Sequence, residues 1–338
     1  MKIGREKLQT ALEIVKPGLA NKEMVEQSTS FAFLDGKVVT YNDEISIQHP
    51  VEGLEIEGAI KADELYKLLN KISAKEIDIK ITDKEIQLSS GRTKAGITLE
   101  TEIKLPLDDS VAHVGKWKPL PEDFLKFVGF AAASCSKNQS EYKFTCVHIT
   151  RQGVVEASDG YKITHCILKE EMPTKSFLLP SFAAEQVVKL VPTHIAEGKG
   201  WIHFKNEEGT ILSARILEEE YGNTSKFLEA EGPLLTLPAS IKATLDRAEV
   251  FSKRDQILAE SITISVKDAK LTVSSRSESG WFEEVLNIEY DGKPLEFDIT
   301  PYLLKGILNE TQGCRVDKTK LKFEGDGWIH VTSLKSTK

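Results

Sequence analysis

Arg5-Glu6-Lys7-Leu8-Gln9-Thr10-Ala11-Leu12-Glu13-Ile14-Val15 is the stretch on which the fold turns. Its residues Leu8, Ala11, Leu12 and Val15, with Leu19 beyond, recur at three- and four-residue spacing, the mark of a helix with one buried stripe. The spacing predicts a helix over residues 5–19. The pattern returns about 117 residues later over 122–134, with Phe124, Phe127, Val128 and Ala131, and again over 239–251, with Ile241, Leu245 and Ala248. Pro121 and Pro238 stand at the expected helix starts, where a missing N–H costs nothing.

After each helix the apolar period changes to two, broken by turn residues, which reads as antiparallel hairpins. The first copy runs 30–34, Asp35-Gly36, then 37–47; the second runs 143–149, Gln152-Gly153, then 154–168. The third runs 261–266, Lys267-Asp268-Ala269, then 270–275 and 283–288. A short extended piece then leads into a second helix in each copy, expected at 62–72, 181–191 and 301–308. Further hairpins close the copies, at 76–88 with 97–103, at 201–217 and at 320–334. Helix, strands, helix, strands is thus written three times. The fold class expected is α+β, in three tandem domains over 1–117, 118–232 and 233–338, with boundaries where Pro and Gly punctuate the chain.

The 338-residue length suits two or three domains, and the 40% hydrophobic, 28% charged composition is that of a soluble protein. Apolar runs are too short to span a bilayer and no secretory segment opens the chain, so a cytoplasmic location is expected. Cys135, Cys146, Cys166 and Cys314 are scattered, which argues for reduced structural thiols rather than a disulfide or zinc framework. The net charge of −8 disfavours a surface that grips nucleic acid all over, but leaves room for basic residues gathered on one face.

No catalytic, metal or cofactor constellation is legible. The seven histidines lack ligand spacing, Gly198-Lys199 lacks the earlier glycine of a phosphate loop, and Gly-x-Ser-x-Gly is absent. The run Glu218-Glu219-Glu220 is contiguous, so its side chains diverge and it reads as a solvated loop. Asp159 before Gly160 reads as a turn residue. On the second helix of the first copy, Lys67, Lys71 and Lys75 fall at helical spacing opposite Leu65, Leu68, Leu69 and Ile72. Lys126, Lys189, Lys242, Arg247 and Lys305 are the corresponding cations elsewhere. Singly each reads as a solvated face; as a set they suit sequence-independent contact with phosphates.

Several stretches resemble one family over essentially the whole chain: the bacterial β sliding clamp, the processivity subunit of DNA polymerase III. Ala157-Ser158-Asp159-Gly160-Tyr161-Lys162-Ile163 is similar to the family's A-T-D-G-H-R-L, and Ser89-Ser90-Gly91-Arg92 to its S-G-R. Asp246-Arg247-Ala248 with Ser252, and Phe297-Asp298 before Tyr302-Leu303, resemble its helix markers. The resemblance implies a ring around duplex DNA that tethers a polymerase and a clamp loader through short peptides and catalyses nothing. It adds Lys22, Gln139 and Lys143 as DNA contacts. It implies a partner-peptide pocket between copies two and three, of Thr145, Ser158, Gly160, Tyr161, Lys162 and Ile163, then Gly222, Lys226, Phe227, Tyr302, Val331 and Thr332. It further implies a head-to-tail homodimer joining Arg92, Ala95 and Ile97 of one chain to Val250 and Phe251 of the next.

The chain departs from the family in places. Gly222 stands where the family has proline, Tyr161 and Lys162 replace His and Arg, and the C-terminal M-P-x-R-L is missing. These departures point to a divergent clamp, phage-encoded or from a distant lineage, with an altered pocket. The competing reading is a DNA- or peptide-binding scaffold of the same repeated unit without ring closure.

Overall fold

The computed structural model of the chain describes residues 1–107, 114–217 and 219–335. Glu218 of the acidic run therefore lies outside the described residues. The α-helices among them are α1 (Arg5–Val15), α2 (Ala62–Lys71), α3 (Phe124–Ala132), α4 (Ser181–Leu190), α5 (Ser225–Leu228), α6 (Ile241–Ser252) and α7 (Pro301–Lys305). With the short α5 set aside, the order strand, helix, three strands, strand, helix, three strands occurs three times. The class is α+β. Leu8, Ala11, Leu12 and Val15 of α1, Leu65 and Leu69 of α2, and Ile241, Leu245 and Ala248 of α6 are all buried. Each such leucine stabilises the fold by about 1.5–3 kcal/mol relative to exposure.

The chain forms two compact units, Met1–Leu125 with Glu171–Glu218, and Lys126–Glu170 with Glu219–Lys338. In the first, an antiparallel sheet runs Gly58–Lys61, Ser30–Leu34, Lys37–Tyr41, Ile45–Pro50, Ile211–Arg215, Trp201–Lys205, His194–Glu197, Lys118–Pro119. A second sheet of this unit orders Lys2–Gly4, Glu76–Ile81, Glu85–Ser90 and Thr93–Thr98. In the second unit, Cys146–Ile149, Val154–Ser158 and Lys162–Ile167 continue into Trp328–Ser333, Lys320–Gly325, Gly313–Val316 and Leu234–Thr236. Its other sheet orders Gly280–Asn287, Lys270–Ser277, Ile262–Lys267 and Leu295–Ile299.

Local chemistry moves several boundaries from their expected places. Pro17 sits at the start of a 3-10 turn, Lys16–Gly18, and ends α1 before Leu19 because it cannot continue the ladder. Pro121 and Pro238 lie a turn ahead of α3 and α6, where their carbonyls accept the N–H groups of Phe124 (3.1 Å) and Ile241 (2.9 Å). The strand expected over 37–47 is two strands, since the Asn42 side chain accepts from the N–H of Glu44 and Ile45 and Asp43 takes φ +74°. Helix α7 stops at Lys305 rather than 308. Lys75 is not on a helix: α2 ends at Lys71, Ile72 turns extended, and the Lys75 carbonyl accepts Arg5 N–H at 2.9 Å.

Candidate functional site

A groove of about 490 Å³ opens in the second unit, at the seam where Lys162–Ile167 pairs with Trp328–Ser333. Period-two alternation along Trp328–Ser333 decides which of its residues reach the groove. Val331 and Ser333 line it with Leu334, whereas Thr332 is fully buried and does not. On the neighbouring strand Lys162 and Ile163 line it, and the Ser158–Lys162 turn adds Ser158, Gly160 and Tyr161. The Asp159 carboxylate accepts from the N–H groups of Tyr161 and Lys162, both at 2.9 Å, as its Asp-Gly context implies. Gly160 has φ +87° and an open α-face, so a ligand backbone meets no Cβ there.

The outer wall is the segment 221–228. Gly222 has φ +91°, a conformation closed to the proline that the family resemblance would place there. Phe227 is 64% exposed and Tyr161 48% exposed, both at the groove, so they offer aromatic surface rather than filling the core. Lys320 Nζ donates to the Phe227 carbonyl at 3.3 Å and helps hold this wall.

Of the twelve expected groove residues, Ser158, Gly160, Tyr161, Lys162, Ile163, Gly222, Phe227 and Val331 line the cavity. Thr145 does not: it is buried and its hydroxyl donates to the Tyr142 carbonyl at 2.7 Å. Lys226 is exposed on α5 outside the lining. Tyr302 stands behind Lys162, whose Nζ donates to its hydroxyl at 2.7 Å and to the Ala133 carbonyl at 2.8 Å. Phe144, Tyr221, Asn223, Thr224, Thr319, Lys320, Ser333 and Leu334 line the groove without having been expected. Tyr221, Asn223, Thr224 and Thr319 sit on loops, where no periodic signal exists.

Behind the wall lies a buried carboxylate. Glu156 is 4% exposed; its Oε1 lies 2.9 Å from His148 Nδ1 and its Oε2 3.0 Å from His165 Nδ1. Thr224 Oγ1 donates to the same Oε2 at 2.6 Å. Burial by itself would raise the Glu156 pKa, but these hydrogen bonds outweigh it and hold the carboxyl at about 2. An ionised carboxylate only accepts, so both imidazoles present Nδ1–H to it. A depressed folded-state pKa means that the stability Glu156 contributes is present above 4.5 and lost as pH falls toward about 2. The shift corresponds to about 3 kcal/mol. In acid titrations followed by chemical denaturation, Glu156→Gln is expected to be less stable at neutral pH and to show a shallower loss between these limits.

A larger hollow of about 740 Å³ in the first unit carries Glu13, Glu207 and Glu208 beside Lys189. It has no aromatic wall, and its carboxylates suit solvent. Among the described residues no group of three or more His, Cys, Asp or Glu is placed to hold a metal ion. No helix of the described residues is long and apolar enough to cross a membrane.

Two of the strands that end a sheet carry or adjoin the expected contact residues. Thr93–Thr98 ends one sheet of the first unit and Gly280–Asn287 ends one of the second; neither has a second neighbour strand among the described residues. Along the first, Arg92 and Lys94 are exposed while Ala95 and Ile97 are half-buried. Along the second, Trp281 is 65% and Val285 51% exposed, with Glu283 between them and Val250 on the adjoining helix 66% exposed. Phe251, expected at the dimer contact, is half-buried over Gly280, where a Cβ would lie 2.8 Å from its ring.

The expected basic residues differ in how free they are. Lys22, Lys71, Lys75, Lys126, Gln139 and Lys189 are exposed, and Lys143 lies over the Phe144 ring. Lys67 pairs with Asp63 at 2.6 Å on an exposed helix face, and Lys242 donates to Asn309 at 2.7 Å. Arg247 is held by both oxygens of Glu284, and Lys305 lies between Asp246 and Glu249. These last two spend their charge on carboxylates, which leaves them weak candidates for phosphate.

No model of a known protein family matches the chain, and no curated protein matches it in sequence. Solved structures do. The DNA polymerase III β chain of Streptococcus pneumoniae superposes with a TM-score of 0.86 at 16% identity over 99% of both chains. The β subunit of Streptococcus pyogenes gives 0.84 at 19% identity, again over 99% of both. The Pseudomonas aeruginosa β subunit gives 0.84 at 14% identity and 99% coverage of each. Over its whole length the chain has the fold of the bacterial DNA polymerase III β subunits, the sliding clamps.

Proposed function

We propose that the chain is a DNA sliding clamp of three domains, 1–117, 118–232 and 233–338. Two copies close head to tail into a ring around duplex DNA and tether a polymerase and a clamp loader through the groove at Tyr161, Ile163, Phe227 and Val331. The observation that carries this reading is the likeness to β subunits over 99% of both chains, which leaves no part of the chain outside the clamp plan. The fold alone does not determine function, so the open edges and the groove supply the second line of support. A sheet edge left bare invites aggregation unless a partner strand covers it. The edge with Arg92 and Lys94 is complementary in charge to the one with Glu283, and a contact of unlike patches generates a ring when its rotation closes.

In this reading the protein catalyses nothing and works in the cytoplasm. Exposed lysines of α2, with Lys22, Lys126 and Lys189, supply mobile phosphate contacts that carry no sequence information. Primer extension by the cognate replicative polymerase on a primed single-stranded circle tests the tethering role. Products lengthened in one binding event support it; unchanged length with the loader present contradicts it. Lys67→Glu with Lys71→Glu is expected to lower the melting temperature by no more than a few degrees, through loss of the Lys67–Asp63 pair and new like-charge neighbours, and to weaken loading about tenfold, because two phosphate contacts become repulsions. Loading equal to the wild type, measured as protein retained on DNA, would remove these residues from the DNA face.

A further inference from the structure

The wall of the groove is latched to a polar post that occupies the place of an apolar core in the first unit. Strand register makes the comparison. Ala32 pairs with Val39 and Val39 with Gln48, as His148 pairs with Glu156 and Glu156 with His165. Val39 and Gln48 each precede their counterparts by about 117 residues, the spacing of the repeat. In the first unit Ala32 and Val39 join Tyr41, Leu105 and Trp201 in a buried apolar cluster, with Ile103 and Leu107 packed on it. The segment 103–107 thus lies down on its sheet. In the second unit the segment one repeat later forms the groove wall, and the strand positions it meets are polar: His148 and Glu156, with His165 beside them. Tyr221 stacks on the His148 ring at 4.9 Å, and Thr224 reaches Glu156 at 2.6 Å.

A buried carboxylate in place of valine costs stability unless its partners are complete. Here they are complete, and one of them, Thr224, comes from the wall itself. We propose that Glu156, held between His148 and His165, is a positioning residue that keeps the 221–228 wall in its open, binding-competent place through Thr224. The inference rests on the groove being a peptide site.

The test uses the full-length protein and two readouts. Amide hydrogen exchange over 221–228 follows the wall without any ligand; a peptide selected on the wild-type protein from a displayed random 12-mer library, then synthesised, probes the groove. Thr224→Val, a substitution at a half-buried position, is expected to exchange about tenfold faster across 221–228 while the strand Ile262–Lys267 is unchanged. The same variant binds the selected peptide about tenfold more weakly. Glu156→Gln shifts both in the same direction, and Thr224→Ser, which keeps the hydroxyl, restores wild-type values. Wild-type exchange in Thr224→Val would overturn the latch, as would faster exchange with undiminished peptide affinity. Failure to enrich any peptide on the wild-type protein would overturn the groove reading instead, with the exchange arm still deciding whether the wall is latched.

Discussion

In the proposed ring the wild type sediments as two chains, and with Trp281→Lys and Val285→Lys together the protein is expected to sediment as a single chain of 37.6 kDa. Both side chains are more than half exposed on the open edge Gly280–Asn287, so their loss leaves the packed core untouched. Such surface changes cost about 0.5 kcal/mol or less in folding stability. Across a closed interface the balance differs. A buried tryptophan removes about 150–250 Å² from water, and at about 25 cal/mol per Å² its loss alone weakens association by several kcal/mol. In the proposed head-to-tail contact the new lysines also meet Arg92 and Lys94 of the second copy, where like charges repel. Association is expected to fall about a hundredfold or more, which is near 3 kcal/mol. Sedimentation equilibrium checks it, and an unchanged two-chain species would remove this edge from the contact.

The second large effect concerns the groove. Tyr161→Ala with Phe227→Ala is expected to weaken polymerase binding about a thousandfold, while the assembly and DNA retention of the wild type persist. Aromatic anchors in a peptide groove are worth about 2 kcal/mol or more each when truncated. These two are the most exposed aromatic surfaces lining the cavity, and neither supports the sheet beneath it. Calorimetric titration with the polymerase reads the loss. Loss of binding together with loss of the dimer would mean that the substitutions damaged the fold rather than the groove.

The helices were legible from apolar spacing because each has one buried stripe: Leu8, Leu12 and Val15 lie where the period put them. The repeat was legible for the same reason, since three amphipathic patterns at one interval leave few other arrangements. Turn chemistry was only partly so. Asp35-Gly36 and Asp268-Ala269 both take left-handed backbone at their hairpins, whereas Asn42-Asp43, an equally good turn signal, lay inside an alternating run and was read through. The groove was half legible. The Ser158–Ile163 run carries a family resemblance, but Tyr221, Asn223 and Thr319 reach the cavity from segments with no period. The Glu156 cluster joins His148, His165 and Thr224 across two strand pairings and a loop, and no local spacing points to such a set. The signal that could have found it was the mismatch within the repeat, glutamate one interval after Val39.

Topological linkage is the most direct test of the clamp. Fluorescent protein is placed on a nicked circular duplex by a loader or by spontaneous opening, the free protein is removed by gel filtration, and the circle is then cut once. The account predicts retention on the closed circle and release on linearisation as the ring slides off the ends. Equal retention on both forms, or none on either, would contradict encirclement.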